Sequence, residues 1–482
     1  MLFSSIPFLY YFLPAVLLLY FLAPKKLKNT VLLASSLFFY GWGEPKFLPM
    51  MVLSITVGYV LGLLIEHAKT SCRKKIWLTI SVAFSLAMLG WFKYADFFIA
   101  NFNAATGASV PLLKIALPIG ISFYTFQLLS YTVDVYHGQT PAQKNPVTLA
   151  AYVALFPQLI AGPIVRYSDV AAQLDQRTHS FDMAAEGIRR FVFGLSKKVL
   201  IANALGELCN TFRASSDQSV LFFWMYAIAF TLHIYFDFSG YSDMAIGLGR
   251  IFGLRFLENF NYPYIAASIT DFWRRWHMSL GSWFRDYVYI PLGGNRVPKA
   301  RWFFNIFVVW FLTGFWHGAA WNFILWGLFY AVLLVIEKLW LLHKLEPEHP
   351  STCTKILRHI YVMIFVIIGF VIFNAENMTQ AANDLACMFG LSGLAANTAA
   401  SGTLPFTSIE TMYHLRSYLV TFLIAIIGAT PLPKKAVQKL RTNRYGCLLL
   451  DVAEPFVLVF LMLLTTACLV DGSFNPFLYF RF

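Results

Sequence analysis

His317 lies in Thr313-Gly-Phe-Trp-His-Gly-Ala-Ala-Trp321, inside an otherwise apolar stretch. Neutral imidazole is the usual general base near pH 7 and can take the proton of a hydroxyl nucleophile. An ionisable ring is expensive to keep at membrane depth, so such a residue reads as a functional group facing a bundle interior or a wet cavity. The structural alternative is a neutral histidine hydrogen-bonded across helices. The small neighbours Gly314, Gly318, Ala319 and Ala320 let a backbone or a substrate come close. A second histidine, His277, follows Trp273-Arg-Arg-Trp276. Taken alone it reads as an interfacial residue among Arg and Trp anchors, while Arg274 and Arg275 suit a phosphate, on a lipid or on a pantetheine-bearing donor. His233, one helical turn before Asp237, reads as a structural hydrogen-bonding partner of that residue.

The elements that position these residues belong to a membrane protein. Of 482 residues, 58% are hydrophobic and 13% charged, about half the charge of an ordinary soluble chain. Apolar runs of bilayer-spanning length recur to the C-terminus, and runs such as 8–22 and 325–336 are apolar on every face, which sets aside a β-barrel with its strict alternation. The expected class is an all-α polytopic membrane protein with roughly ten to twelve spans. The candidate spans are 6–23, 30–43, 47–66, 76–93, 112–133, 147–161, 184–206, 219–236, 239–256, 302–316, 319–337, 356–373, 415–430 and 454–470. Residues 268–300 mix Trp, Phe and Tyr with Asp271, Arg274, Arg275, His277, Arg285 and Asp286, a composition that fits an in-plane or re-entrant element buried in protein.

The net charge of +13 gathers in short loops, where the positive-inside rule accounts for it without nucleic acid. Lys25, Lys26 and Lys28, then Lys69, Arg73, Lys74 and Lys75, then Lys434, Lys435, Lys439, Arg441 and Arg444 mark cytoplasmic loops, whereas residues 374–414 contain no Lys or Arg and should lie outside. Counting spans from these markers places both termini outside. The first span is preceded by no Lys or Arg and reads as a retained helix instead of a cleaved signal. The six cysteines have no metal-knuckle or disulfide spacing, and no metal or permanently bound cofactor is expected. Gly247-Leu-Gly249-Arg-Ile-Phe-Gly253 has the wrong spacing for a dinucleotide loop, and Gly249 and Gly253 read as a helix–helix contact. There is no GxSxG elbow and no Walker motif.

With these residues in place, the chain resembles the membrane-bound O-acyltransferase family, in particular its bacterial alginate O-acetyltransferase-like branch. The resemblance rests on Asp271-Phe-Trp-Arg-Arg-Trp-His277, its continuation through Ile290-Pro-Leu-Gly-Gly-Asn-Arg296, and Phe315-Trp-His-Gly-Ala-Ala-Trp321. Further matches are Leu117 to Gln127, Phe156 to Pro163 and Tyr235 to Asp243, so it covers most of residues 1–340 and weakens after Asn374. It implies one integral membrane domain over 1–482, with a core at about 110–340, N-terminal helices in 1–100 and C-terminal helices in 355–482, arranged around a central funnel. It also implies that His317 is the catalytic histidine and His277 the second histidine of the polar motif. Asp271, Trp273, Arg274, Arg275 and Trp316 are then candidate donor-binding residues. In this branch an acetyl group moves from a cytoplasmic thioester, acetyl-CoA or an acyl carrier, across the membrane. There an extracytoplasmic acetyltransferase or esterase-like partner esterifies an exported polysaccharide. The related branch transfers D-alanine toward teichoic acid, and a transporter using the same histidines as proton relays is the reading from another class. The tail ending Phe477-Leu-Tyr-Phe-Arg-Phe482 makes Tyr479 a candidate acyl relay by the same resemblance, against the plainer reading of an aromatic belt.

Overall fold

Apolar composition and frequent capping residues give a chain that is helical nearly throughout. The computed structural model describes residues 1–345, 351–391, 404–472 and 478, and among them there is no β-strand. Helices open where a side chain satisfies a free backbone N–H, at Thr70, Asn145, Ser268, Ser351, Asn377, Ser408 and Asn443. Seven helices among the described residues are long and apolar enough to cross a membrane, and Phe8–Leu22 is a shorter apolar helix. The chain is therefore an all-α, multi-pass membrane protein.

Several expected spans take another form. The runs 219–236 and 239–256 are one continuous helix, Val220–Ile251, about 48 Å long at the usual rise. The Asp237 carboxylate that suggested a break is paired inside the protein, since Lys198 Nζ lies 2.6 Å from Asp237 Oδ1 with both side chains 1% exposed. The run 112–133 becomes helical only at Ile121, because Lys114 and Gly120 adopt positive φ. The run 147–161 is split at Leu155, one residue before the turn Phe156–Leu159. Residues 268–300 contain the short helices Ile269–Arg275 and Met278–Phe284, each about 10 Å long and too short to cross.

The chain divides into two compact units. The first comprises Met1–Leu195 with Tyr241–Glu258. Its core is aromatic: Phe3, Phe8, Phe12, Phe39 and Phe156 meet at ring distances from 4.8 to 6.4 Å. Helices Leu48–His67, Ser71–Leu89 and Ile121–His137 pack on one another, and a Cβ on Gly62 would sit 2.8 Å from the Tyr131 ring. The close backbone approach near residue 250 is made by Gly247 against Gly187, where a Cβ would fall 2.6 Å from a carbonyl oxygen. Gly249 faces Phe256 and Gly253, at φ 81°, turns the chain out of the helix, so the expected Gly249–Gly253 helix contact is not formed.

The second unit comprises Ser196–Gly240 with Asn259–Phe482 and holds the candidate chemistry. Its core runs from Leu205 and Phe222 through Tyr264, Phe272 and Trp276 to Trp326, Phe370 and Phe373.

Candidate active site

Helices Lys299–His317 and Trp321–Ile336 form a tight hairpin, and glycine makes it possible. A Cβ on Gly314 would lie 2.3 Å from the Phe323 carbonyl oxygen, and one on Gly327 would lie 2.2 Å from that of Trp310. His317 ends the first helix, buried at 8% exposure. Its ring lies edge-on to Trp326 and Phe373, each at 5.2 Å, with Trp316 at 4.9 Å. Ile306, Val309, Trp310, Thr313 and His317 recur at helical spacing on one face, and that face lines a cavity of about 440 Å³.

The opposite wall is built by the two short helices. Trp273 is wedged against the hairpin, with ring centroids 4.7 Å from Trp310, 4.8 Å from Tyr330 and 5.6 Å from Trp326. His277 joins the two short helices at φ 44° and ψ 54°, a left-handed conformation that costs a non-glycine residue roughly 1 to 2 kcal/mol. Asn259 compensates. Its carbonyl accepts the Met278 N–H at 2.9 Å, and its Oδ1 accepts the Ser279 N–H at 3.3 Å and the Ser279 hydroxyl at 2.9 Å. Because a backbone N–H points at it, that side-chain atom is the oxygen, so His277 Nδ1, 3.0 Å away, must be the protonated donor. Nε2 is left with its lone pair, buried and without a hydrogen-bond partner among the described residues. The His277 ring lies 6.0 Å from Trp316 and edge-on to Phe238 at 4.7 Å.

Thus the cavity brings together His317, His277, Trp273 and Arg274 from the sequence-derived set. It adds Arg285 and Lys338, and no carboxylate is among its lining residues. Asp271 and Arg275 do not line it. They pair with each other at 2.9 Å, and Arg275 also donates to the Asn261 carbonyl at 3.3 Å. Trp316 does not line it either, but stands against both imidazoles. His233 and Asp237 have separate partners: His233 Nδ1 donates to the Ala202 carbonyl at 2.7 Å, while Asp237 pairs with Lys198 and accepts the Leu478 N–H at 3.0 Å. Tyr479 lies outside the described residues.

Sequence reasoning missed Asn259, Arg285 and Lys338 as site residues. Lys338 follows an apolar helix, the position where loop charges ordinarily sit, and Asn259 acts on a residue 18 positions away, so neither carries a local signal. Among the described residues there is no group of three His, Cys, Asp or Glu that would hold a metal.

The multi-pass helical frame agrees with the comparisons to known proteins. The sequence profile of the membrane-bound O-acyltransferase family matches residues 141–379. The chain is 40% identical to the probable alginate O-acetylase of Azotobacter vinelandii, with 100% of both chains covered. It is 36% identical to the peptidoglycan O-acetyltransferase of Helicobacter pylori, with 82% of this chain and 81% of that one covered. The teichoic acid D-alanyltransferase of Bacillus subtilis is 31% identical over 54% of this chain and 69% of its own. The chain belongs to the membrane-bound O-acyltransferase family and is a multi-pass membrane O-acyltransferase.

Proposed function

We propose that this enzyme moves an acetyl group from a cytoplasmic thioester to a hydroxyl on the outer side, for O-acetylation of an exported polysaccharide. The observation that carries the reading is the single cavity lined by both His277 and His317, with Arg274, Arg285 and Lys338 in its wall. From Ile306 to His317 is eleven residues, about 16 Å along the helix, a length suited to an extended pantetheine arm. Lys338 Nζ lies 5.7 Å from the Trp302 ring, at the far end of the hairpin from His317. The cations would hold the phosphate of the donor and the thioester would reach the histidines. That donor is acetyl-CoA or a carrier-bound acetyl thioester, and no permanently bound cofactor is needed.

In this mechanism His317 takes the proton of the acceptor hydroxyl as its oxygen attacks the thioester carbonyl. The tetrahedral oxyanion collapses, the C–S bond breaks, and the departing thiolate receives that proton, leaving an ester and a free thiol. Arg274 lies near enough to Lys338 to act on its charge, which groups it with the phosphate-holding cations and not with the oxyanion. The His277 tautomer supports an accepting role at Nε2 and not oxyanion donation. It also favours a second reading in which His277 takes the proton and His317 orients the acceptor. The larger loss of the two alanine variants identifies the base.

The names of the relatives favour an alginate-like or other cell-surface glycan as acceptor, with D-alanyl transfer the alternative. An extracytoplasmic esterase-like partner would complete the transfer in a bacterial inner membrane. Sidedness follows the loop charges: a cysteine placed at Thr407 is expected to react with an impermeant maleimide from outside, and one at Gln438 only after permeabilisation. The reverse pattern would place the donor on the wrong side.

Tyr479 is retained as an acyl relay in this reading. Tyr479→Phe keeps the aromatic ring and removes the hydroxyl, so glycan acetylation should fall sharply while membrane insertion is unchanged. Normal acetylation would make the tail an anchor and assign the acceptor hydroxyl to a partner or to the sugar. The test that separates the whole reading from the alternatives is the fate of labelled acetyl-CoA given to the purified enzyme: an acetyltransferase releases free CoA as it transfers the label, and a transporter does not.

A further inference from the structure

Glu337 has no exposed surface and begins the π-turn Glu337–Leu341 that continues helix Trp321–Ile336. A carboxylate buried in a membrane span is costly unless its oxygens are filled. Here they are. Oε1 accepts the Ile269 N–H at 2.6 Å, and Oε2 accepts the Thr270 N–H at 2.8 Å and the Thr270 hydroxyl at 2.7 Å. Ile269 and Thr270 open the short helix Ile269–Arg275, and Ser268 Oγ accepts the next N–H, that of Asp271, at 2.9 Å. All three leading N–H groups of that helix are therefore engaged, two of them by a residue 67 and 68 positions away.

Glu337 does not line the cavity, whereas its neighbour Lys338 and its partner Thr270 do. Its tether joins the hairpin that carries His317 to the segment that carries Trp273, Arg274 and His277. A π-turn at this point agrees with the frequent use of such turns at functional sites. We infer that Glu337 is a positioning residue for acyl transfer, holding the His277 segment at a set distance from the His317 hairpin. The inference rests on the functional reading of His277 given above. Misplacement by about 1 Å is enough to cost roughly 10²-fold in rate, so a tether of three hydrogen bonds to a buried carboxylate suits the task.

Glu337→Gln keeps the volume but turns an amide NH₂ toward groups that can only donate or already do. In the full-length enzyme it is expected to lower kcat by about 10- to 100-fold, with the KM for acetyl-CoA little changed. The decisive readout is the double variant. If Glu337 acts through His277, then Glu337→Gln with His277→Ala should be no slower than His277→Ala alone. A wild-type kcat in Glu337→Gln, or losses that multiply in the double variant, would overturn the inference. Should Glu337→Gln fail to fold, Thr270→Val removes only the hydroxyl leg and is judged by the same two criteria. A fully active His277→Ala would overturn the functional reading itself, and this inference with it. An inactive His277→Ala beside a fully active Glu337→Gln would overturn the inference alone.

Discussion

His317→Ala is expected to lower acyl transfer by about 10² to 10⁴-fold, the range typical for loss of a general base. The variant should still insert and fold. His317 is the last residue of its helix, and the hairpin beyond it is held by the glycine contact between Gly314 and Gly327 and not by the imidazole. Removing the ring leaves a gap bordered by Trp316, Trp326 and Phe373, with a packing loss of a few kcal/mol at most. Both halves of the expectation are checked together: the rate of acetyl transfer, and the elution profile and melting temperature of the purified variant. Near wild-type transfer by a well-folded protein would remove His317 from the chemistry.

Gly327→Val is expected to abolish accumulation of folded protein. A Cβ at this position would stand 2.2 Å from the Trp310 carbonyl oxygen and 3.2 Å from the Gly314 Cα, which are backbone atoms and cannot rotate away. The hairpin would have to splay, separating Trp310, Thr313 and His317 from the opposite wall. Overpacking commonly costs about 1 to 3 kcal/mol and more where the backbone must move. Gly90→Ala serves as the control, because nothing lies within 4 Å of its added carbon. Yield of monodisperse protein in detergent and its thermal midpoint separate the two: Gly90→Ala should match wild type and Gly327→Val should not. Wild-type stability in Gly327→Val would mean that the close helix approach does not hold the site.

The membrane class was legible because composition alone excludes a soluble core, and His317, His277 and Arg274 were legible as candidates because polar groups stand out in apolar surroundings, whereas Trp273 came from the resemblance. Element boundaries were harder to read. Asp237 and Phe238 look like a break between spans, yet both are buried within one helix, and the partner that permits this for Asp237, Lys198, is 39 residues upstream. The residues that orient the site were illegible for the same reason. Asn259 sets the His277 tautomer, and Glu337 fixes the first turn of the preceding helix, through contacts that only the folded chain brings together. Arg275 shows the converse. Its guanidinium suggested a phosphate, while its spacing from Asp271 is that of an i,i+4 pair on a helix, which is how the structure uses it.

The most direct measurement of the central claim follows label and thiol together. The purified enzyme is placed in liposomes with acetyl-CoA labelled in the acetyl group outside and, inside, a glycan oligosaccharide together with an extracytoplasmic protein extract that supplies the partner, and both products are counted. The account predicts that label appears as an alkali-labile ester on the oligosaccharide, that free CoA is released in equal amount, and that neither occurs with His317→Ala. Passage of label into the lumen without ester formation, or release of CoA unchanged in His317→Ala, would contradict it.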